Sequence, residues 1–322
     1  MARLLRCACF FLLVLLAPGT TYAQEKYPTR PIRLLVPFPP GGGTDLMARV
    51  IAQKLTEAFG VSVIVDNRPG AGGTIGAETA VRAAPDGYTM IVVSGSYATN
   101  AAFYKLAYDP VNDIAPIAFL GDSPFLLSLH PSVPIKNARE LIAYDKASPG
   151  KLNYGSTGTG GITHLASELF NQTAGTRITH VPYKGTGPAL NDLMAGQIQL
   201  IFGAMPALLP PVKANRLRGI AVTTARRSAA TPEIPTIAET VPGYDAGPWW
   251  ATWGPKALPK EIVARWNREI DRILRSQEMK ERMAGEGIEP AGGPPERLRE
   301  VLKREVPKWQ KVVKAGNIKV GS

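Results

Sequence analysis

The chain has 322 residues, of which 45% are hydrophobic and 20% charged, with a formal net charge of +11. That is enough for two α/β lobes of ordinary size, and its periodic apolar segments exclude a disordered chain. The basic residues are scattered and no basic–aromatic ladder or nucleic-acid motif occurs, so the charge is either general surface charge or a field that steers small anions.

Arg3 and Arg6 open the chain, residues 7–17 are apolar but too short to cross a bilayer, and Thr21-Tyr22-Ala23 offers a small-residue cleavage site. A cleavable secretory signal over 1–23 is expected, with export to the periplasm; a retained anchor is the alternative. Both cysteines, Cys7 and Cys9, lie inside this leader and neither stands at the cleavage point. Processing would therefore leave no disulfide, no thiolate nucleophile and no Cys-ligated metal. No later apolar run is long enough to span a membrane.

Residues 32–36 read as a buried strand, and they lead into Pro37-Phe38-Pro39-Pro40-Gly41-Gly42-Gly43-Thr44-Asp45. The glycines let the backbone approach a ligand closely, and the free N–H groups of a following helix favour an anion. Leu46, Met47, Val50, Ile51 and Leu55 recur at helical spacing, with Thr44 or Asp45 as the expected N-cap. A strand over 61–65, a glycine-rich turn over 67–73, a short helix over 75–84 and a strand over 88–93 follow. The last ends at Ser94-Gly95-Ser96. This βαβαβ alternation predicts a parallel sheet, with ligands beyond the carboxyl ends of its strands.

Strands at 114–120 and 125–129 flank Gly121-Asp122-Ser123-Pro124, a candidate crossing between lobes. A helix over 138–147 leads to a second loop of the same design, Tyr154-Gly155-Ser156-Thr157-Gly158-Thr159-Gly160-Gly161. Ile162, Leu165, Ala166, Leu169 and Phe170 then repeat the helical spacing. A strand over 178–181, a helix opened by Pro188 at its first position and closed by Gly196, and a strand over 198–202 come next. A helix over 206–215 and a strand over 217–223 complete a second α/β unit. The C-terminal part reads as helical, with one apolar stripe through Ile262, Trp266, Ile270 and Leu274. A second runs through Leu298, Leu302, Trp309 and Val313, with Pro307 expected to kink it.

Catalytic chemistry finds little support. The three histidines, His130, His164 and His180, show no zinc spacing and no His-Glu-x-x-His, so no metal site is expected. Ser156 has Tyr154 where a nucleophile elbow needs glycine, and Ser148-Pro149-Gly150-Lys151 carries helix breakers inside its chance Ser-x-x-Lys match. The runs 158–163 and 70–75 lack the third dinucleotide glycine, and no Gly-Lys-Ser/Thr follows any glycine run. No cofactor is expected.

Taken in order, these segments make the chain resemble the solute-binding receptors of tripartite tricarboxylate transporters, the Bug family. The resemblance rests on Tyr27-Pro28, Pro31-Ile32-Arg33, Pro37-Phe38 with Gly41-Gly42 and Asp45, and Asn67-Arg68-Pro69-Gly70-Ala71-Gly72-Gly73. It continues through Ala84-Pro85-Asp86-Gly87-Tyr88-Thr89, Leu152-Asn153-Tyr154-Gly155-Ser156, His164-Leu165-Ala166 and His180-Val181-Pro182-Tyr183-Lys184-Gly185. It implies an α/β two-lobed periplasmic-binding-protein fold (type II, Venus flytrap), with mainly parallel central sheets and two hinge crossings. The implied lobes are 24–124 with 225–322, and 125–224.

The resemblance further implies a monomeric receptor that closes on a small organic carboxylate and delivers it to membrane transporter subunits. Carried over by position, Phe38, Pro40, Gly41, Gly42, Gly43, Thr44 and Asp45 form the first-lobe loop. Ser156, Thr157, Thr159 and Gly160 belong to the second, with Ser94, Ser96 and His164 as neighbours and Trp249 at a position where tryptophan is usual. Gly203 stands where family members often carry an acid, which argues against an amino-acid ligand. Trp250 and Trp253 either wall the cleft or pack in the core. An exported hydrolase or isomerase acting on a carboxylate, and ligand presentation to a membrane sensor, are the other readings of the same chain.

Overall fold

A computed structural model describes residues 27–183, 185–285 and 287–319. The expected leader and Lys184 lie outside them. The first unit runs β1 (Ile32–Val36), α1 (Gly43–Phe59), β2 (Val63–Asn67), α2 (Thr74–Val81), β3 (Thr89–Ser94), α3 (Ser96–Phe103) and β4 (Ile114–Asp122). The second runs β5 (Phe125–Leu129), α4 (Ala138–Ala147), β6 (Asn153–Ser156), α5 (Ile162–Ala174) and β7 (Thr179–Pro182). It ends with α6 (Thr186–Met194), β8 (Leu200–Ala204), α7 (Met205–Lys213) and β9 (Arg218–Val222). The chain closes with β10 (Trp249–Pro255), α8 (Lys260–Arg275), α9 (Gln277–Gly285), β11 (Glu289–Pro290) and α10 (Glu296–Ala315).

These strands form two sheets, ordered β11-β4-β10-β3-β1-β2 and β7-β6-β8-β5-β9. Within each, the βαβ core is parallel: β1 pairs with β2 and β3, and β6 with β7 and β8. The strands that enter a unit from a crossing, β10 and β5, run against that core, whereas β4 and β9, which lead out of it, run with it. β10 is antiparallel to β3 and β4, β11 to β4, and β5 to β8 and β9. The sheets are therefore mixed rather than mainly parallel, because crossing between units reverses strand direction.

Two crossings join the units. The outward one is Ser123-Pro124, and the return one spans 223–248. They are stitched together: Ser123 N–H donates to Pro248 O at 2.9 Å, and Phe125 N–H to Thr223 Oγ1 at 2.8 Å. Part of the return packs on the second unit, where Thr236 bridges Val222 and Tyr244 Oη donates to Ala166 O at 3.0 Å. The expected first-lobe span of 225–322 thus includes a stretch seated on the other sheet.

Local departures from expectation have local causes. The N-cap of α1 is Gly42, in extended conformation, so Thr44 and Asp45 lie inside the first turn. Pro188 is the third residue of α6 and Gly185 caps it; Gly196 does follow the helix, at φ 74°. The helix α10 continues through Pro307, whose neighbours Leu302 and Trp309 are fully buried.

The largest departure is β10, a strand where the sequence predicts no element. It occupies the middle of the first sheet, and its side chains alternate between cores: Trp249, Ala251 and Trp253 on one face, Trp250 on the other. Being buried on both faces, it reads as a mainly apolar run, interrupted by Thr252, without regular polar alternation. Trp253 is a core residue, 0% exposed.

Candidate functional site

The carboxyl end of β3 and the turn before α5 approach each other across a cavity of about 280 Å³. From the first unit it is lined by Ser94, Ser96, Thr99, Asn100, Phe103 and Tyr104. From the second come Thr159, Gly160, Gly161 and Ile162, with Pro248 of the return crossing closing one side. Every one of these side chains is uncharged. Ser94 and Ser96 share a hydrogen bond of 3.0 Å between their hydroxyls, leaving oxygen lone pairs and one hydroxyl hydrogen for a guest.

Sequence reading placed Ser94 and Ser96 here but not the helix α3, which carries Asn100 and ends just before Tyr104. Ser96–Phe103 shows no apolar stripe, since Tyr97, Ala98, Thr99 and Asn100 are all buried. Asn100 Nδ2 donates to Gly72 O at 3.0 Å. A Cβ added at Gly72 would meet Asn100 Oδ1 at 3.0 Å, and one at Gly73 would meet Phe38 at 3.2 Å. Gly72 and Gly73 hold φ of 65° and 99°, a conformation glycine adopts without a Cβ clash. The 70–73 turn is thus wedged between Phe38 and Asn100, and it links the first glycine loop to the cavity.

The second glycine loop is largely satisfied from within. Thr157 N–H donates to Thr163 Oγ1 at 3.0 Å, Gly158 N–H to Ser156 Oγ at 3.1 Å, and Gly161 N–H to Gly158 O at 3.1 Å. Gly160, at φ 79°, donates to His164 Nδ1 at 3.0 Å. Among the described residues the amides of Ile162, Thr163 and His164, in the first turn of α5, have no protein acceptor, as expected at a helix start. Those N–H groups carry the partial positive charge that favours an anion.

Beneath this loop stands an aromatic stack. His164 and His180 lie 3.9 Å apart between ring centroids and 11° from parallel, and Tyr154 stacks on His180 at 5.0 Å. Burial, and then the neighbouring His180, push the His164 imidazole down to about 4; burial also lowers His180. Both rings are therefore neutral at pH 7. His164 is 5% exposed and supports the loop from below rather than facing the cavity.

Ser156 Oγ and His180 Nε2 are 2.6 Å apart, a pairing that nucleophilic catalysis requires. Ser156 is 0% exposed, however, and among the described residues no carboxylate orients His180 through Nδ1. The pair is a buried structural contact.

The first glycine loop lies beside the cavity rather than along it. Pro40, Gly41, Gly42 and Gly43 are exposed, while Thr44 and Asp45 are buried. Asp45 pins the loop: its carboxylate accepts from Gly41 N–H at 2.9 Å, Arg49 Nε at 2.9 Å and Asn67 Nδ2 at 2.9 Å. Burial alone would raise this carboxyl, but the Arg49, Gly41 and Asn67 hydrogen bonds outweigh it and hold it at about 2. The amides of Gly42, Gly43 and Thr44 have no acceptor among the described residues.

Two further expected positions are packing positions. Trp249 is 4% exposed and lies under the turn, where a Cβ at Gly95 would come within 3.2 Å of its Nε1. At Gly203 a Cβ would fall 2.7 Å from Leu208 Cδ1, so a side chain there would displace Leu208 in the second unit's core.

Residues 47–318 match the model of the tripartite tricarboxylate transporter family receptor. The chain belongs to that family. The receptor is 36% identical to Protein BugT of Bordetella pertussis over 302 residues, covering 92% of this chain and 93% of BugT. Among solved structures it is similar to Rpa4515 of R. palustris with adipate, at 38% identity and TM-score 0.75, covering 91% of this chain and 99% of that one. It is also similar to MatC of Rhodopseudomonas palustris with bound malate, at 31% identity and TM-score 0.71, covering 89% of this chain and 100% of that one.

Proposed function

We propose that this receptor captures a small organic carboxylate in the cavity between Ser94–Asn100 and Thr159–Ile162 and delivers it to membrane transporter subunits from the periplasm. The observation that carries this reading is the cavity itself. It is of small-molecule size, it is shared by two α/β units joined by two crossings, and it is lined by hydroxyls, amides and apolar side chains without a fixed charge. Hydrogen bonds to such neutral donors, with the first turns of α3 and α5, hold a carboxylate reversibly. The adipate and malate complexes of related receptors support the same ligand class.

In this reading the two sheets define the lobes, and the crossings at 123–124 and 223–248 are the hinge. Closure on the ligand creates a surface that neither lobe presents alone, which is what a transporter can recognise. The protein acts as a binder and not as an enzyme, a reading supported by the buried Ser156–His180 pair, which is not presented to the cavity; a monomer is sufficient for it.

The test is a thermal-shift screen of the purified mature chain over aliphatic and aromatic carboxylates, each paired with its neutral amide. A ligand that binds only the native state raises Tm by an amount that grows with the logarithm of its concentration above Kd. At least one carboxylate is expected to raise Tm while its amide does not. A panel without any carboxylate-specific shift, or turnover of a bound carboxylate, would overturn the reading.

A further inference from the structure

Behind the hinge, on the side formed by α10, lies a second cavity of about 320 Å³ whose character is opposite to that of the cleft. Its walls carry both signs of charge: Asp122 and Glu289 from adjoining strands, Asp245 and Arg226 from the return crossing, and Arg297, Glu300 and Arg304 from α10. Asp122 is the last residue of β4, immediately before the outward crossing, and in the β4–β11 ladder it lies directly opposite Glu289. Like charges directly opposite on a sheet repel. Glu289 in turn accepts from Ala229 N–H of the return crossing at 3.1 Å, so it ties the first sheet to the segment that seats on the second.

We propose that Asp122 is a protonation switch for the hinge: protonated, it stands beside Glu289 without repulsion and preserves the Glu289–Ala229 tie, and ionised, it repels Glu289 and is drawn to Arg226 across the cavity. The two protonation states thereby favour different angles between the lobes. This rests on the proposed lobe movement.

The surroundings of Asp122 are consistent with a group that titrates near neutrality. Burial comes first, followed by the Glu289 charge, and Asp245 adds to both; Arg297 and Arg226 oppose them, leaving the carboxyl raised to about 6. No hydrogen bond to a described residue holds Asp122 in either form, whereas Asp245 accepts from Ala225 N–H at 3.2 Å and stands 3.9 Å from Arg304. Asp122 is thus a carboxylate of this cavity that no hydrogen bond among the described residues commits, and it adjoins the outward crossing. Arg297, the stronger of the two opposing charges, lies over the Phe119 ring at 5.0 Å and comes from α10, which packs on β4 of the same unit. Arg226, on the return crossing itself, is the cation whose distance from Asp122 changes when the crossings turn.

The experiment uses the ligand-free mature chain carrying spin labels at Ile64→Cys and Arg139→Cys, both exposed and one on each sheet's unit. Inter-label distances are measured from pH 5 to pH 7.5. The expected result is a shift in the distance distribution with a midpoint near pH 6. Asp122→Asn should hold the pH 5 distribution throughout, and Arg226→Gln should move the midpoint upward because it removes a charge that favours the ionised form. An unchanged distribution in the parent overturns the switch, as does an equal pH response in Asp122→Asn. Adipate added at pH 7.5 separates the two readings: a shift with adipate and none with pH sinks the switch while the receptor reading stands.

Discussion

Gly160 donates its N–H to Nδ1 of His164, 3.0 Å away, and so ties the tip of the second glycine loop to the helix that follows it. An imidazole can accept at Nδ1 only while that nitrogen is unprotonated. The bond, the close stack on His180 and the burial of both rings all require the neutral form, and the loop at the cleft is built on that neutrality.

Stability should therefore fall on mild acidification. The folded-state pKa of His164 is lowered to about 4, beneath the ordinary 6.5, so the unfolded chain binds more protons throughout that interval. The loss begins as pH drops below 6.5 and is complete near 4, and amounts to about 1–3 kcal/mol. Denaturant titrations from pH 7.5 to 4.5 read it directly. His164→Phe, which keeps the stacking face and loses the titration, should flatten that slope while costing about 1 kcal/mol at pH 7.5 for the lost acceptor. A parent-like slope in the variant would place the titration elsewhere. Asp122 works in the opposite sense: its raised pKa contributes stability below pH 4 that is lost as pH rises through 6.

Asp45 gives a separate acid window. Its carboxyl is held at about 2 against an ordinary 3.8, so its contribution is present above pH 4 and disappears as pH falls toward 2. Asp45→Ala removes the acceptor for Gly41, Arg49 and Asn67 together and leaves Asn67 and the loop amide without it. The expected cost is about 2–3 kcal/mol at pH 7, with the acid-induced loss below pH 4 reduced. Equilibrium unfolding at pH 7 and pH 3 measures both. A stability change under about 0.5 kcal/mol would mean that the pinning of the first loop is unimportant.

The two glycine loops were legible from sequence because an apolar run, a glycine cluster and a helical stripe follow one another in a short span. What each loop does was not. Asp45 read equally well as an N-cap or a ligand neighbour, and only the meeting with Asn67 and Arg49 shows it to be a pin. His164 and His180 come from a helix and a strand that no spacing rule connects. Asn100, and Tyr104 just beyond it, were missed because the residues of α3 are buried on several sides, which erases the periodicity that reveals a helix. β10 was lost for the same reason in strand form. Tertiary burial on both faces hides an element, whereas burial on one face advertises it.

Glycine substitutions separate the loops. Gly160 holds φ 79°, where a β-branched residue is strongly disfavoured, and it lines the cavity. Gly160→Val should cost about 2 kcal/mol of stability and weaken carboxylate binding at least tenfold. At Gly43 the backbone is helical, and an added Cβ meets only Trp250 at an ordinary 3.7 Å. Gly43→Ala should leave Tm unchanged or slightly raised. Its effect on affinity then reports whether the first loop reaches the ligand. Gly160→Val binding as tightly as the parent would remove the second loop from the site.

The neutral lining makes a kinetic prediction. Without a fixed cation in the cavity, the bound carboxylate is held by short-range hydrogen bonds, which salt screens little. The approach is different, because the formal charge of +11, which becomes +9 without Arg3 and Arg6 of the leader, attracts an anion at long range. Raising ionic strength from about 0.01 M to 0.15 M shortens the screening length from about 30 Å to about 8 Å. The association rate of a carboxylate that responds in the thermal screen should fall by a few-fold, and its dissociation rate should stay constant within error. Stopped-flow fluorescence distinguishes the two rates. A dissociation rate that climbs steeply with salt would require a cationic side chain against the ligand and would move the binding site away from Ser94, Asn100 and Gly160.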